Sequence, residues 1–145
     1  MVMVVKGVYC LCIAVKEDLC LQTGVLGRIK FLEGSYIYVG SALNGLNARI
    51  IRHLNTSKGI YKAIHWHIDY LLREKSVSVD AVYVRLSDQK IECGIAAKVS
   101  GYGSSVKNFG SSDCRCQSHL FTMESWSFLP DLNMKKWETV SVHRT

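Results

Sequence analysis

An arginine, a histidine, a glutamate and several tyrosines stand in this chain where apolar residues would pack at lower cost. Arg49 and His53 are four residues apart in a segment, Leu46 to Leu54, whose Leu46, Ile50 and Leu54 recur at helical spacing. Their side chains would lie one above the other. At about 100° per residue they fall on one flank of the apolar stripe, along the rim of the core, with Arg52 further round and more exposed. A surface helix whose long side chains lie along the core edge has the same pattern. Glu92 precedes Ile95, Ala96 and Val99 at helical spacing, centred on an apolar face. A buried carboxylate is costly unless it is paired, hydrogen-bonded or metal-bound. The alternative is that Glu92 lies in a first turn and reaches solvent past the helix N-terminus, where the dipole favours it. Tyr9 follows Gly7, and Tyr36, Tyr38 and Gly40 share one strand face. Strand tyrosines are ordinary packing residues and alone carry no chemistry.

The elements that must position these groups can be read from pattern. Val4 to Val15 is a strand with both alternating sets apolar, hence central in a sheet. Leu19 to Leu21 and Arg28 to Leu32 form a hairpin around Gly24 and Gly27. Ser35 to Val39 is a strand ended by Gly40. Asn44 is a candidate cap for a helix over Leu46 to Leu54, and Lys58-Gly59 marks a loop. A second helix is predicted over His65 to Glu74, with Ile68, Leu71 and Leu72 inward, then a strand over Val79 to Leu86. Ser87 and Asp88 are candidate caps for a third helix, Ile91 to Val99. Gly101 to Ser112 reads as a loop, and Trp137 to Val142 as a last strand. The order implies an α+β fold, one sheet with about three helices. The chain is expected to be a single domain over 1–145, with a core of about 4–121 and a C-terminal extension over 122–145.

The 145 residues carry a formal charge of +6, which favours polyanions only weakly by itself. No signal-peptide pattern opens the chain, and no apolar run approaches a membrane span. A soluble cytoplasmic protein with mostly buried free thiols is expected, with no membrane partner.

Taken together, the motifs resemble a known family. Gly7-Val8-Tyr9 and Tyr38-Val39-Gly40 look like the paired tripeptides of the GIY-YIG nucleases, with valine replacing isoleucine in each. Tyr38-Val39-Gly40-Ser41-Ala42, then Arg49, Arg52-His53 and a later helical Glu92, extend the likeness. The runs His65-Trp66-His67-Ile68-Asp69-Tyr70-Leu71-Leu72 and Phe109 to Phe121 resemble the Uri-type group, domain of unknown function 123. The resemblance implies a central antiparallel sheet. It implies a DNA endonuclease, structure- or damage-directed rather than sequence-specific, with a protein partner or homodimer as a further option. A non-catalytic nucleic-acid-binding module, or a zinc-stabilised interaction module, is the alternative on the same fold.

In that resemblance Glu92 holds one Mg2+ or Mn2+ ion, and Arg49 binds the scissile phosphate. Tyr9 activates water through His53, with its pKa lowered by Arg49 and the metal, and Tyr38 is a second phenol at the site. Gly40, Ser41, Arg52, His65 and Asn108 are the expected substrate contacts. The chain departs from the pattern in two places. The hairpin lengthens the gap between Tyr9 and Tyr38, and the family's late asparagine has Asn108, Ser112 or Asp113 as equivalents.

Cys114-x-Cys116-x2-His119 offers zinc ligands, with Cys93 or a histidine of His65-Trp66-His67 completing a set. Its C-x-C spacing is less typical than C-x2-C, so buried thiols and a hydrogen-bonded histidine are preferred. His65 and Asp69 can share a helix face, and Asp69 is expected to orient His65.

Overall fold

The computed structural model describes residues 5–42, 44–106, 109 and 118–138. The fold is α+β. Strand β1 (Gly7–Val15) alternates two apolar sets, and nearly all of it is buried, as its sequence predicts for a central strand. Its antiparallel neighbours are β4 (Gly34–Ala42) and β5 (Val77–Leu86). β7 (Leu120–Met123) pairs with β4, β6 (Gly103–Ser105) with β7, and β8 (Lys135–Lys136) with β5. The six-stranded order is β6-β7-β4-β1-β5-β8. The hairpin forms as expected from β2 (Leu19–Gln22) and β3 (Arg28–Phe31), as a separate two-stranded sheet.

The pleat sends the alternate residues of β1 into two different cores. Tyr9, Leu11, Ile13 and Val15 face α1 (Leu46–Ser57), α2 (His67–Leu72) and the hairpin. Val8, Cys10 and Cys12 face α3 (Glu92–Ser100) and the chain after β7, including Leu129 and Met134. Residues of 122–138, in the span expected as an extension, belong to the sheet and cover one face of it.

Several expectations need correction. Gly40 does not end β4, which pairs with β1 through Ala42. The residue before α1 is Gly45 in the left-handed region, so Asn44 is not the cap, and the helix runs on to Ser57. Helix α2 starts at His67 rather than His65 because the Asp69 carboxylate accepts the backbone N–H groups of His65 (3.0 Å) and Trp66 (3.1 Å). Ile91 stands at the N-cap of α3, and Ser87 and Asp88 do not cap it. The expected loop from Gly101 contains β6. The last strand falls at Lys135–Lys136, and Trp137, the first residue of the expected strand, lies beyond it. Residues 139–142 of that expected strand are outside the described residues. Of the thiols expected to be mostly buried, Cys10 and Cys12 are buried and Cys20 and Cys93 exposed, and Cys114 and Cys116 lie outside the described residues. No helix among the described residues is long and apolar enough to cross a membrane.

Candidate active site

The register of the central pair builds the floor of a cleft. Tyr9 lies directly opposite Gly40, and Leu11 opposite Tyr38. Tyr38 is therefore Tyr9's diagonal neighbour on one sheet face, with ring centroids 6.4 Å apart. Gly40 is required by the close approach of the Tyr9 ring. A Cβ there would stand 2.5 Å from the Tyr9 hydroxyl oxygen. Gly40→Ala is expected to force that ring aside and to cost about 1–3 kcal/mol. Calorimetric melting measures it, and a variant that melts with the parent would show the approach to be slack.

Tyr9, Tyr38, Gly40, Ser41, Arg49, His65 and Glu92 all line one cleft of about 490 Å3. His53 lies behind it. It is fully buried rather than at the core rim as predicted, because the inward stripe of α1 is Leu46, Ile50 and His53. The Tyr9 hydroxyl is 2.7 Å from His53 Nε2, and His53 Nδ1 is 3.3 Å from Asp69 Oδ1. Burial pushes the Asp69 carboxyl pKa up, but hydrogen bonds from His53 and from the His65 and Trp66 backbone outweigh it and hold the group below its usual range. An ionised Asp69 accepts from His53 Nδ1–H, which leaves Nε2 to accept from the Tyr9 hydroxyl. The three side chains form one hydrogen-bonded line from the cleft floor into the core. Asp69 was expected to orient His65. Its side chain instead orients His53, while His65 contributes only its backbone N–H.

Arg49, one of the two charges expected to lower the Tyr9 pKa, does not do so by itself. Burial raises it well above the ordinary tyrosine value, the neighbouring Tyr38 raises it further, and the opposing pull of Arg49 is outweighed. Burial also raises that of Tyr38. Both are neutral phenols in this environment.

Arg49 donates from Nη1 to the Ser41 carbonyl (2.6 Å) and stacks over Trp66, 4.8 Å from its ring centre. It is thus held at the cleft wall by two neighbours. Glu92, in the first turn of α3, is neither deep in the core nor free in solvent. Its side chain is 26% exposed, with Oε1 accepting from the Ser41 hydroxyl (2.6 Å) and Oε2 lying 2.5 Å from His119 Nδ1. Burial raises its pKa, but the contacts from His119 and Ser41 and the charge of Arg49 win, so the carboxyl is held below its usual range. An anionic oxygen pair at the edge of a polar cleft fits a hard divalent cation, which takes one or two carboxylates and fills its shell with water.

Arg52 departs from its expected place. It does not line the cleft but is half-buried, packed over Tyr61 and Trp66 and bonded to the Tyr61 hydroxyl and His65. Asn108, Cys114 and Cys116 lie outside the described residues, as do Ser112 and Asp113. Cys93 Sγ is 4.0 Å from His119 Nε2. Among the described residues no group of three His, Cys, Asp or Glu side chains is placed to hold a metal ion. Sequence reasoning missed the pairing of Glu92 with His119 and Ser41, the His53 contact of Asp69, and Trp66 as the platform under Arg49. Trp66 alone gave a signal, an aromatic in a run of titratable groups.

No curated protein matches the chain, and no solved structure does. A family model described as domain of unknown function DUF123 matches residues 8–141, a span that takes in every cleft residue named above. The chain belongs to the DUF123 family.

Proposed function

We propose that this chain is a metal-dependent endonuclease of the GIY-YIG type, hydrolysing phosphodiester bonds in DNA. What carries the reading is the convergence of Tyr9, Tyr38, Arg49 and Glu92 on one cleft, with the Tyr9 hydroxyl tied to His53 and Asp69. A guanidinium, a charged carboxylate and a proton relay are what phosphoryl transfer to water requires. The resemblance of the tripeptides and of the later motifs points the same way, as does the basic balance of the sequence.

In this reading Arg49, braced by Ser41 and Trp66, binds the scissile phosphate. A water beside Tyr9 gives its proton to the phenol oxygen as the phenol passes its own to His53 Nε2. The resulting imidazolium is stabilised by Asp69. The hydroxide formed attacks phosphorus, the bond from phosphorus to the leaving sugar oxygen breaks, and that oxygen takes a proton from solvent. No free phenolate is needed, which reconciles a working Tyr9 with its raised pKa. Glu92 would hold Mg2+ or Mn2+, and such an ion supplies charge stabilisation at the phosphoryl and leaving oxygens. Ser41 and His119 hold the Glu92 carboxylate ionised and in place.

The test is incubation of the chain with supercoiled, branched and single-stranded DNA in Mg2+, Mn2+ or EDTA, beside Arg49→Ala. Metal-dependent nicking that falls about a hundredfold or more in the variant is expected. Binding without nicking in every metal would replace the reading with a non-catalytic nucleic-acid-binding module.

A further inference from the structure

The hairpin ends in a turn that puts an apolar side chain into solvent beside the cleft. Val25 is 93% exposed and lines the same cleft as Tyr9 and Glu92. Scattered exposed valines are common on protein surfaces. This one differs in how firmly it is held. Thr23, fully buried, bonds the Gly27 carbonyl with both its backbone N–H (2.8 Å) and its hydroxyl (2.7 Å). Leu26 and Gly27 close the 3-10 turn (Gly24–Leu26) onto Thr23 and Gly24. Gly24 has a φ of 58°, a left-handed conformation, and a Cβ there would meet the Tyr70 hydroxyl at 3.3 Å and the His67 ring of α2 at 3.7 Å, so the turn lies close to α2. Below the turn Leu21, Leu26 and Ile29 pack on the core. The tip cannot fold Val25 back against the protein without breaking this network. Arg28 and Lys30, on the strand that leaves the tip, are exposed cations.

The size of the cleft is a second, independent observation. About 490 Å3 is the volume of a small-molecule pocket. That is room for a group of nucleotide size. Tyr9 on its floor is only 2% exposed, so a group that meets its hydroxyl must enter the cleft rather than lie across the surface.

We infer that the hairpin is a wedge, with Val25 entering the base step next to the phosphate bound in the cleft and Arg28 and Lys30 facing the backbone. The inference rests on the nuclease reading and deepens it, naming the substrate class as DNA whose strand is unstacked or easily kinked at one step, as at a branch, bulge or lesion. Apolar side chains that enter a base step kink the duplex in return for wider contact. A pre-unstacked step removes that cost, so selectivity for damaged or branched DNA follows from the shape of the turn without any base-reading contact.

The test uses 2-aminopurine placed at successive positions around the branch of a three-way junction, bound in EDTA by the full chain carrying Glu92→Gln so that cutting is suppressed. Fluorescence at one step is expected to rise about threefold or more as that base loses its stack. Adding Val25→Ser is expected to abolish the rise while the melting temperature stays unchanged and the affinity changes less than about twofold, since phosphate contacts dominate affinity. In the parent background, Val25→Ser should slow cleavage of plain duplex about tenfold, and much less when an abasic gap already opens the step. A Val25→Ser chain that raises fluorescence as the native residue does overturns the wedge. A Val25-dependent rise from a chain that cuts no DNA in any metal retains the wedge and overturns the nuclease reading. Absence of DNA binding overturns both.

Discussion

Glu92→Gln is expected to leave the chain folded and to slow Mg2+-dependent cleavage on the order of a thousandfold. Glutamine keeps the side-chain shape and one acceptor for the Ser41 hydroxyl, but it loses the charge and the acceptor beside His119. The charge is what the site has been arranged to keep. Burial would favour the protonated acid, and His119, Ser41 and Arg49 overrule it. The sign of the stability effect follows. A group whose folded pKa is depressed contributes stability that is complete above its unfolded value, near ~4.3, and that is lost as pH falls through the folded value. The melting temperature of the variant should therefore lie furthest below the parent's near neutrality and converge on it in acid. Mn2+ binding, followed by water-proton relaxation without DNA, should weaken at least about tenfold in the variant. Equal Mn2+ affinity together with equal cleavage would remove Glu92 from the proposed metal site.

The chemistry-bearing residues were legible where their signal is local and illegible where it comes from another element. The spacing of Arg49 and His53 placed both on one side of α1. Periodicity hides the depth of His53, because Leu54, being apolar, reads as the third member of the stripe. In the fold Leu46, Ile50 and His53 hold the inward positions at i, i+4 and i+7, and a polar residue fills the last. Such a histidine can be buried only with partners, and its partners come from β1 and α2. No window of sequence joins Tyr9, His53 and Asp69. The start of α2 was misplaced for a related reason. Asp69 takes the free N–H groups of His65 and Trp66, so the helical pattern begins two residues later than periodicity allowed.

The sheet shows the same division. β1, β4 and β5 announce themselves by apolar alternation. β6 and β8, Gly-Ser-Ser and Lys-Lys, have no apolar residue and are strands only because β7 and β5 offer them free edges. The resemblance to GIY-YIG nucleases supplied Tyr9 and Tyr38 as site residues, and the register explains their spacing. With Gly40 opposite Tyr9, the tripeptide Tyr38-Val39-Gly40 puts one phenol beside another and leaves out the Cβ that would collide with the Tyr9 ring.

Tyr9→Phe is expected to lower the cleavage rate by about three orders of magnitude, and Asp69→Asn by two or more. The two act through one line of hydrogen bonds, so their effects should not add. Once the phenol is gone, the imidazole behind it has no proton to receive, and Tyr9→Phe with Asp69→Asn should be no slower than Tyr9→Phe alone. Asp69 touches no reacting atom in this reading and is a positioning residue, so a loss of rate alone would not separate its role from a structural one. The pH profile of the parent supplies the separation. If Tyr9 worked as a preformed phenolate, its raised pKa would make the rate climb about tenfold per pH unit through the alkaline range. A relay through His53 forms no free phenolate, and the rate should level off instead. In Asp69→Asn the amide can donate toward Nδ1 and so favour the tautomer whose Nε2 carries the proton and cannot accept from Tyr9. That variant should therefore lose the plateau rather than merely lower it. A parent profile that climbs without levelling, or a double variant slower than Tyr9→Phe by the full single effect of Asp69→Asn, would break the line between the phenol and the carboxylate.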